Sequence, residues 1–326
     1  MRAGIISAGR TAEPKSIHHM KYPKSEKFGI AALRETAEQI VLQPFMTTAG
    51  GLLFNCDCML LFSGIRDGSI DLIFADPPFN LGKDYGTPRF RDLHPDDQYL
   101  SWSKQWLAGC IRILKPGGSL FVYNIPKWLI PLGAYLNEHL EFRHWIAITM
   151  KNNYPRGNRL YPAHYGLLYY VKGKHFTFNR LRVPVPKCRH CRKDLRDYGG
   201  HRDKLNPAGL NLTDFWEDTS PVRHSKFKKR VANELKPIIP RRAILMASKE
   251  GDIVLDPFGG GGSTFEEAEK NSRFWIGSEI GDCSPIVERF SGWLPFAGAA
   301  PNAKLVEAFL KISHTSDLSP ICPART

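Results

Sequence analysis

The sequence predicts an α/β fold built on a doubly wound, mostly parallel sheet, and three observations lead there. Apolar runs of strand length alternate with amphipathic stretches of helix length along much of the 326 residues, the pattern of strands joined by crossover helices. Two of the runs end in an acidic residue followed by proline, Asp76-Pro77-Pro78-Phe79 and Asp256-Pro257-Phe258, and open α/β sheets bind ligands at the carboxyl ends of their strands. Between the two, from Val171 to Arg230, 16 Lys and Arg stand against 6 Asp and Glu and periodicity fades. That composition suits an insertion rather than a core.

Taken in order, residues 1–43 mix basic residues with Ser, Pro and His and read as an N-terminal extension, with a short helix at Ala31 to Val41. Leu52 to Phe54 is a strand that runs out into Asp57, a residue type that caps helices. Ile70 to Ala75 is a buried strand closed by Asp76. Residues 80–97 are polar and form a loop, and Gln98 to Leu114 is a helix with Trp102, Trp106, Cys110 and Ile113 at steps of three and four, read as core. Lys115-Pro116-Gly117-Gly118 ends it. Strand Ser119 to Tyr123, helix Leu129 to Leu140, strand Trp145 to Met150 and strand Tyr165 to Val171 complete this half. After the basic segment a helix runs from Val231 towards Ser248, then come strand Ile253 to Leu255, helix Phe265 to Lys270 and strand Phe274 to Ile276. The expected divisions are 1–43, 44–171, 172–230, 231–291 and a tail at 292–326 with one helix near Leu305 to Ile312.

The first acidic motif carries chemistry in its residue types. Two consecutive prolines have no backbone N–H, so the carbonyls of Asp76 and Pro77 can face outward. The Asp76 carboxylate and the Pro77 carbonyl can each accept one N–H of a planar exocyclic amine, while Phe79 stacks on its ring. A plain turn after a strand is the bland alternative. The second motif, Asp256-Pro257-Phe258-Gly259-Gly260-Gly261-Gly262-Ser263-Thr264, joins a strand to a helix N-terminus through glycines whose missing Cβ atoms let backbone approach a nucleotide. Glu279 follows 23 residues after Asp256, where ribose hydroxyls are held at the end of the next strand. A dinucleotide would be the competing ligand, but the pattern is not G-x-G-x-x-G and Asp256 would repel a pyrophosphate. S-adenosylmethionine, with a ribose, an ammonium and a sulfonium, fits.

Together the two motifs resemble those of the DNA amino-methyltransferases, whose signatures are D/N/S-P-P-Y/F and a D-x-F-x-G-x-G loop. The catalytic motif precedes the cofactor loop by 180 residues with the basic segment between, an order similar to the permuted β class of N6-adenine and N4-cytosine enzymes. The resemblance spans Leu53 to Arg289 and implies a Rossmann-like methyltransferase fold, permuted, with residues 172–230 as a target-recognition insertion. It implies Asp76, Pro77, Pro78 and Phe79 as catalytic residues. It implies cofactor binding by Asp57 at the adenine amine, by Asn233, by Asp256, Pro257, Phe258, Gly259, Gly260, Gly261, Ser263 and Thr264, and by Glu279. Two departures stand out. Tyr165 follows His164 where many relatives have a glutamate, and Val231 to Lys236 retains only polar Asn233 of the H-P-T-Q-K-P motif.

The net charge of +13 points to a polyanionic partner, and the resemblance makes it duplex DNA, with the target base flipped out of the helix. Lys and Arg in the insertion can neutralise phosphates or read base edges; a solvated basic face is the bland alternative. Seven cysteines without a framework of spacings suggest a reducing compartment. Cys188-Arg189-His190-Cys191 is half of a zinc site with His201 and His224 as further candidates, and no metal is assigned. No apolar run reaches the roughly 18 residues of a membrane span, and the N-terminus has no long apolar signal core. A cytoplasmic protein is expected. The expected activity is methylation of adenine N6, with cytosine N4 or an inactive DNA-binding relative as alternatives, a restriction-modification system as setting, and a cognate endonuclease or a second copy as possible partners.

Overall fold

A computed structural model of the protein describes residues 42–82, 93–149, 158, 160, 162–185, 187, 191, 193–194, 199–200, 202–218, 235–291 and 302–309. Within them the chain runs β1 (Met46–Thr47), β2 (Gly51–Phe54), α1 (Cys58–Gly64), β3 (Ile70–Ala75), α2 (Asp96–Ile113), β4 (Leu114–Asn124), α3 (Pro126–Asn137), β5 (Glu141–Thr149) and β6 (His164–Val171). It continues with β7 (Arg182–Val183), β8 (Leu210–Asn211), β9 (Phe215–Trp216), α4 (Ile238–Ala247), β10 (Ile253–Asp256), α5 (Ser263–Lys270), β11 (Phe274–Ser278), α6 (Ser284–Phe290) and α7 (Ala303–Glu307).

Nine strands form one sheet in the order β1-β2-β11-β10-β3-β4-β6-β5-β9, and β7 and β8 form a separate antiparallel ribbon. From β2 to β4 the five adjacent strands are all parallel. Strand β6 runs against both β4 and β5, and β1 against β2, while β9 lies parallel to β5. The sheet is therefore mostly parallel, as the alternation of elements predicts, with β6 reversed against both of its neighbours.

Side chains on successive residues divide between two cores, because the strand period is two. Ile73 and Ala75 of β3, Leu120 and Val122 of β4, and Leu255 of β10 pack with Leu61, Trp106, Leu129 and Leu305, from the helices α1, α2, α3 and α7. Their neighbours Leu72, Phe74, Phe121 and Val254 face the other way, onto Ile244, Phe265 and Ile286 of α4, α5 and α6. Helices thus cover both faces, which is why β3, β10 and β11 read as near-continuous apolar runs. Trp106 is fully buried, as expected of a core residue, and Trp102 packs partly buried against the same cluster.

Several boundaries differ from the sequence expectation. Helix α2 starts two residues earlier, with Asp96 and Asp97 in its first turn, where acidic side chains oppose the helix dipole favourably. Helix α3 begins at Pro126 rather than Leu129, because proline suits the first helical turn. Lys115-Pro116-Gly117-Gly118 does not interrupt the chain; it is the irregular start of β4, paired at Leu114 with Ile70 and out of register before Leu72. The helix expected from Val231 begins only at Ile238. The tail helix is Ala303–Glu307. The helix expected at Ala31 to Val41 lies outside the described residues. No helix among the described residues is long and apolar enough to cross a membrane.

Candidate active site

Strand registers bring four acidic residues to one edge. Phe54 pairs with Ser278, Gly277 with Asp256, Leu255 with Ile73, and Ala75 with Val122. The five parallel strands therefore finish together, and Asp57, Glu279, Asp256 and Asp76 all stand at or just past their carboxyl ends. A polar hollow lined by Asp71, Lys115, His175, Asn179, Lys249 and Asp252 opens at the opposite edge and holds none of the predicted site residues.

Asp76 is half-buried at the end of β3, and Pro77 is buried. The next two carbonyls are pinned from below: the Tyr99 hydroxyl donates to the Pro78 carbonyl at 2.6 Å and the Trp128 indole N–H to the Phe79 carbonyl at 2.7 Å. Asn124, at the end of β4, donates in turn to the Tyr99 hydroxyl at 2.9 Å. Asn80 takes a left-handed φ of 55° and closes the turn through two hydrogen bonds with the His94 backbone. Among the described residues no hydrogen bond reaches the Pro77 carbonyl. One acceptor is left bare beside a carboxylate in a loop whose neighbouring acceptors are fixed.

Phe79 is 8% exposed. Its ring packs against Tyr123 and Tyr165, each with centroids 5.7 Å away, and those two lie 5.3 Å apart. Burial, and then the negative field of Asp76, raise the phenol pKa of both tyrosines, so both are neutral hydroxyls beside the carboxylate. Sequence reasoning placed Tyr123 simply in a strand and Tyr165 as a departure from the expected glutamate. The missing signal was the strand order, which sets β4 beside β3 and β6 beside β4.

The glycine loop forms the second wall. Gly260 and Gly262 take left-handed φ of 56° and 76°, open to glycine at little cost. A Cβ on Gly259 would lie 2.8 Å from the Phe265 ring and 3.0 Å from the Ser278 carbonyl. The Gly260 N–H donates to Glu279 Oε2 at 2.7 Å, and the Gly281 N–H to Oε1 at 2.8 Å. Glu279 thereby binds the loop to the end of β11, and each of its oxygens keeps a further lone pair. The Phe258 ring is half-buried and packs edge-on to Trp102 and Trp106.

Not every predicted residue presents its side chain. Asp256 is 2% exposed; its carboxylate accepts the Phe258 N–H at 2.9 Å and a bond from the Thr264 hydroxyl. Burial, with Asp76 and Glu279 adding to it, pushes that carboxyl well above the usual carboxylate range. Thr264 and Ser263 are also buried, and the Ser263 hydroxyl donates to the Leu235 carbonyl. Pro257 is buried and its carbonyl accepts the Ser278 hydroxyl. Gly261 offers its carbonyl to the Arg289 guanidinium at 2.6 Å. These residues shape the loop from beneath. Asp57 caps α1, accepting the Met59 N–H at 2.7 Å, and burial raises its carboxyl pKa. Asn233, Cys188, His190, His201 and His224 lie outside the described residues, as does the segment from Lys151 to Gly157. Cys191 is an exposed free thiol, and no cluster of three metal-ligating side chains occurs among the described residues.

Three comparisons bear on this arrangement. The N6/N4 DNA methylase family matches residues 70–283. The type II methyltransferase M.BamHI of Bacillus amyloliquefaciens is 51% identical over 249 residues, covering 76% of this chain and 59% of that protein. This chain thus spans about three fifths of that curated relative's length. Among solved structures, the cytosine-N4-specific PvuII DNA methyltransferase matches at 19% identity with a TM-score of 0.52, over 76% of this chain and 88% of that one. A protein of Thermus thermophilus, provisionally assigned as a DNA modification methylase and solved with S-adenosyl-L-methionine, matches at 18% identity and a TM-score of 0.51, over 74% and 94%. Both structures share the Rossmann-like sheet.

Proposed function

Because this chain belongs to the N6/N4 family of DNA methylases, we propose that it transfers a methyl group from S-adenosylmethionine to the exocyclic amine of a base in duplex DNA. The observation that carries the reading is the pairing, at one sheet edge, of the Asp76 carboxylate and the unengaged Pro77 carbonyl with the glycine loop and Glu279. S-adenosylmethionine, when bound, supplies an electrophilic methyl group on a cationic sulfur. The residues present suit it: a loop too tight for a Cβ at Gly259, a carboxylate at Glu279 in reach of a ribose, and an acidic edge that favours a cation. Asp57 remains the candidate for the adenine amine, through whatever acceptor capacity its capping bond leaves free.

Asp76 and the Pro77 carbonyl each draw on one N–H of the target amine. That concentrates the nitrogen lone pair towards the methyl carbon, whose bond to sulfur breaks as the new C–N bond forms. The sulfur would leave as a neutral thioether, and the positive charge passed to the nitrogen would then be discharged by loss of one N–H proton to solvent. Holding nucleophile and methyl in line contributes on the order of 7 to 11 kcal/mol, against about 3 to 4 for one well-aligned acceptor. The hydrogen bonds behind the Pro78 and Phe79 carbonyls hold the loop that carries both acceptors.

The base is the finer question. The leading Asp of the motif most often accompanies adenine in relatives, and a broad Phe79 face would suit a purine. Burial of Phe79 between two tyrosines removes the second support, since little of that face is open. This favours the smaller pyrimidine, hence cytosine N4, with adenine N6 as the second reading on the strength of Asp76. The likeness to a type II methyltransferase supports a place in restriction-modification beside a cognate endonuclease. Mass analysis of nucleosides from mixed-sequence DNA, after incubation with protein and cofactor, tests both levels. N4-methyldeoxycytidine is expected, N6-methyldeoxyadenosine alone would reverse the base, and neither would overturn the activity.

A further inference from the structure

The hollow at the sheet edge away from Asp76 holds about 550 Å³, within the roughly 300 to 1,000 Å³ of small-molecule sites. Its walls are the starts of β3, β4 and β10, the end of α4 and the loop after β6. The acceptors there are already engaged. Asp71 takes Lys115 Nζ at 2.7 Å on one oxygen and the Ile253 N–H at 2.9 Å on the other, and Asp252 takes the Lys249 N–H at 2.7 Å. Asn179 donates to the carbonyls of Leu245, Met246 and Ser248 at the end of α4, and Arg273 donates to that of Ser248 as well. The negative pole of the helix is thereby quenched. The donors are in the opposite condition. Among the described residues no hydrogen bond or ion pair takes the Lys249 ammonium, the His175 ring or the Thr177 hydroxyl, and Lys115 uses one of its three N–H bonds on Asp71.

Satisfied acceptors beside open donors select an acceptor-rich anion. An aromatic wall stands next to them: Phe178 is 47% exposed, and Phe176 is half-buried with the Arg143 guanidinium 4.4 Å from its ring centre. We propose that the hollow is a nucleotide site, in which the phosphate lies among Lys249, His175 and Lys115 and the base lies against Phe178. About 17 Å of extended chain separates Asp71 from Asp76 along β3. A substrate duplex seated over Asp76 leaves the hollow open, so a free nucleotide rather than the substrate strand is the ligand that fits. The site is separate from methyl transfer and does not depend on it.

Uridine 5′-monophosphate, whose pyrimidine is a poor match for a site that takes an adenine-bearing cofactor, is titrated by calorimetry into the full chain, beside inorganic phosphate and uridine. The nucleotide should bind about 5-fold or more tighter than phosphate, the low end for one stacked base, and about 10-fold or more tighter than uridine, which lacks the charged contacts. Lys249→Met and His175→Ala should each weaken it about 5-fold, as suits exposed charged contacts, and Phe178→Ala should bring it down to the affinity of phosphate alone. Melting temperature and methylation rate should stay at wild type in all three variants. Equal affinity for phosphate and nucleotide, or a nucleotide isotherm unchanged in both Lys249→Met and His175→Ala, overturns the proposal. A short duplex that displaces the nucleotide assigns these donors to the DNA backbone and overturns it as well. Methylation without nucleotide binding sinks this proposal alone, whereas nucleotide binding without methylation sinks the proposed activity alone.

Discussion

Asp76 and Asp256 end neighbouring strands with the same side chain, yet one is half-open and the other sealed. The open one is the residue proposed to face substrate. Asp76→Ala should abolish methylation and leave cofactor affinity, measured by calorimetry, within a few-fold; a loss of affinity as large as the loss of rate would move Asp76 out of the amine site. Glu279→Ala should instead weaken cofactor binding by roughly 1 to 3 kcal/mol, the worth of a charged hydrogen bond, and unchanged affinity would displace the cofactor from this loop. The sealed residue is a matter of pH. Its carboxyl pKa is raised above the ordinary value of 3.8. Above that value, and up to the folded pKa, the folded protein keeps a proton that the unfolded chain has lost, so this group costs stability as pH rises through the window. Asp256→Asn should therefore shrink the drop in unfolding free energy as pH rises above the ordinary carboxyl value of 3.8, and an unaltered drop in urea titrations would show the group ionised throughout. The two acids were legible in the sequence because each ends an apolar run. Their difference was not, because it arises from Thr264, Phe258 and the covering core. Tyr165 was legible only as an exception.

At the scale of elements, the glycine loop is held by the helix that follows the next strand. Arg289 of α6 donates to the Gly261 carbonyl and pairs with Glu266 of α5 at 2.6 Å, and the two side chains are only 6% and 14% exposed. Burial opposes the charge on Glu266, but hydrogen bonds from Lys270 and Arg289 hold its carboxyl below the usual range. Its stabilising share is thus full above the unfolded pKa and fades as pH falls through the folded one. Arg289→Met removes one of the two cations that hold Glu266, leaving Lys270 on Oε1 at 2.7 Å, and should cost roughly 1.5 to 3 kcal/mol of stability, the worth of a charged hydrogen bond; a change under about 1 kcal/mol in denaturant unfolding would mean that solvent reaches it. Gly277→Ala tests the packing beneath, where a Cβ would fall 2.0 Å from the Phe265 ring, itself stacked on Trp275. It should destabilise by about 1 to 3 kcal/mol through overpacking. Periodicity revealed these helices and strands, but not the start of β4, since Pro116 and Gly117 read as terminators. A strand tolerates such residues at an irregular place, here out of register with β3 while Gly117 and Gly118 still hydrogen-bond with Lys172. The exposed residues Glu141 to His144 gave no strand pattern either; pairing with β6 makes them one.

For the whole molecule, a charge of +13 with its excess in residues 171–230 means that affinity for DNA should fall steeply as salt rises, by release of counterions from phosphates. Lys226, Lys228 and Lys229 lie outside the described residues; neutralising all three should flatten the log–log salt slope, and an unchanged slope would put the phosphates elsewhere. The strand order has another outcome, one that concerns the growing chain. Strands β2 and β3 come early, yet their respective neighbours β11 and β10 come last, Asp256 being 180 residues beyond Asp76. At ribosomal speeds of roughly 5 to 20 residues per second, that gap lasts about 10 to 40 s. Throughout it β3 has β4 on one side only, and its other side is an open apolar edge, which is a template for mispairing with other chains. A nascent protein truncated after Ser248 should accordingly collect in the insoluble fraction, and extending it through Ser278 should bring it back into solution.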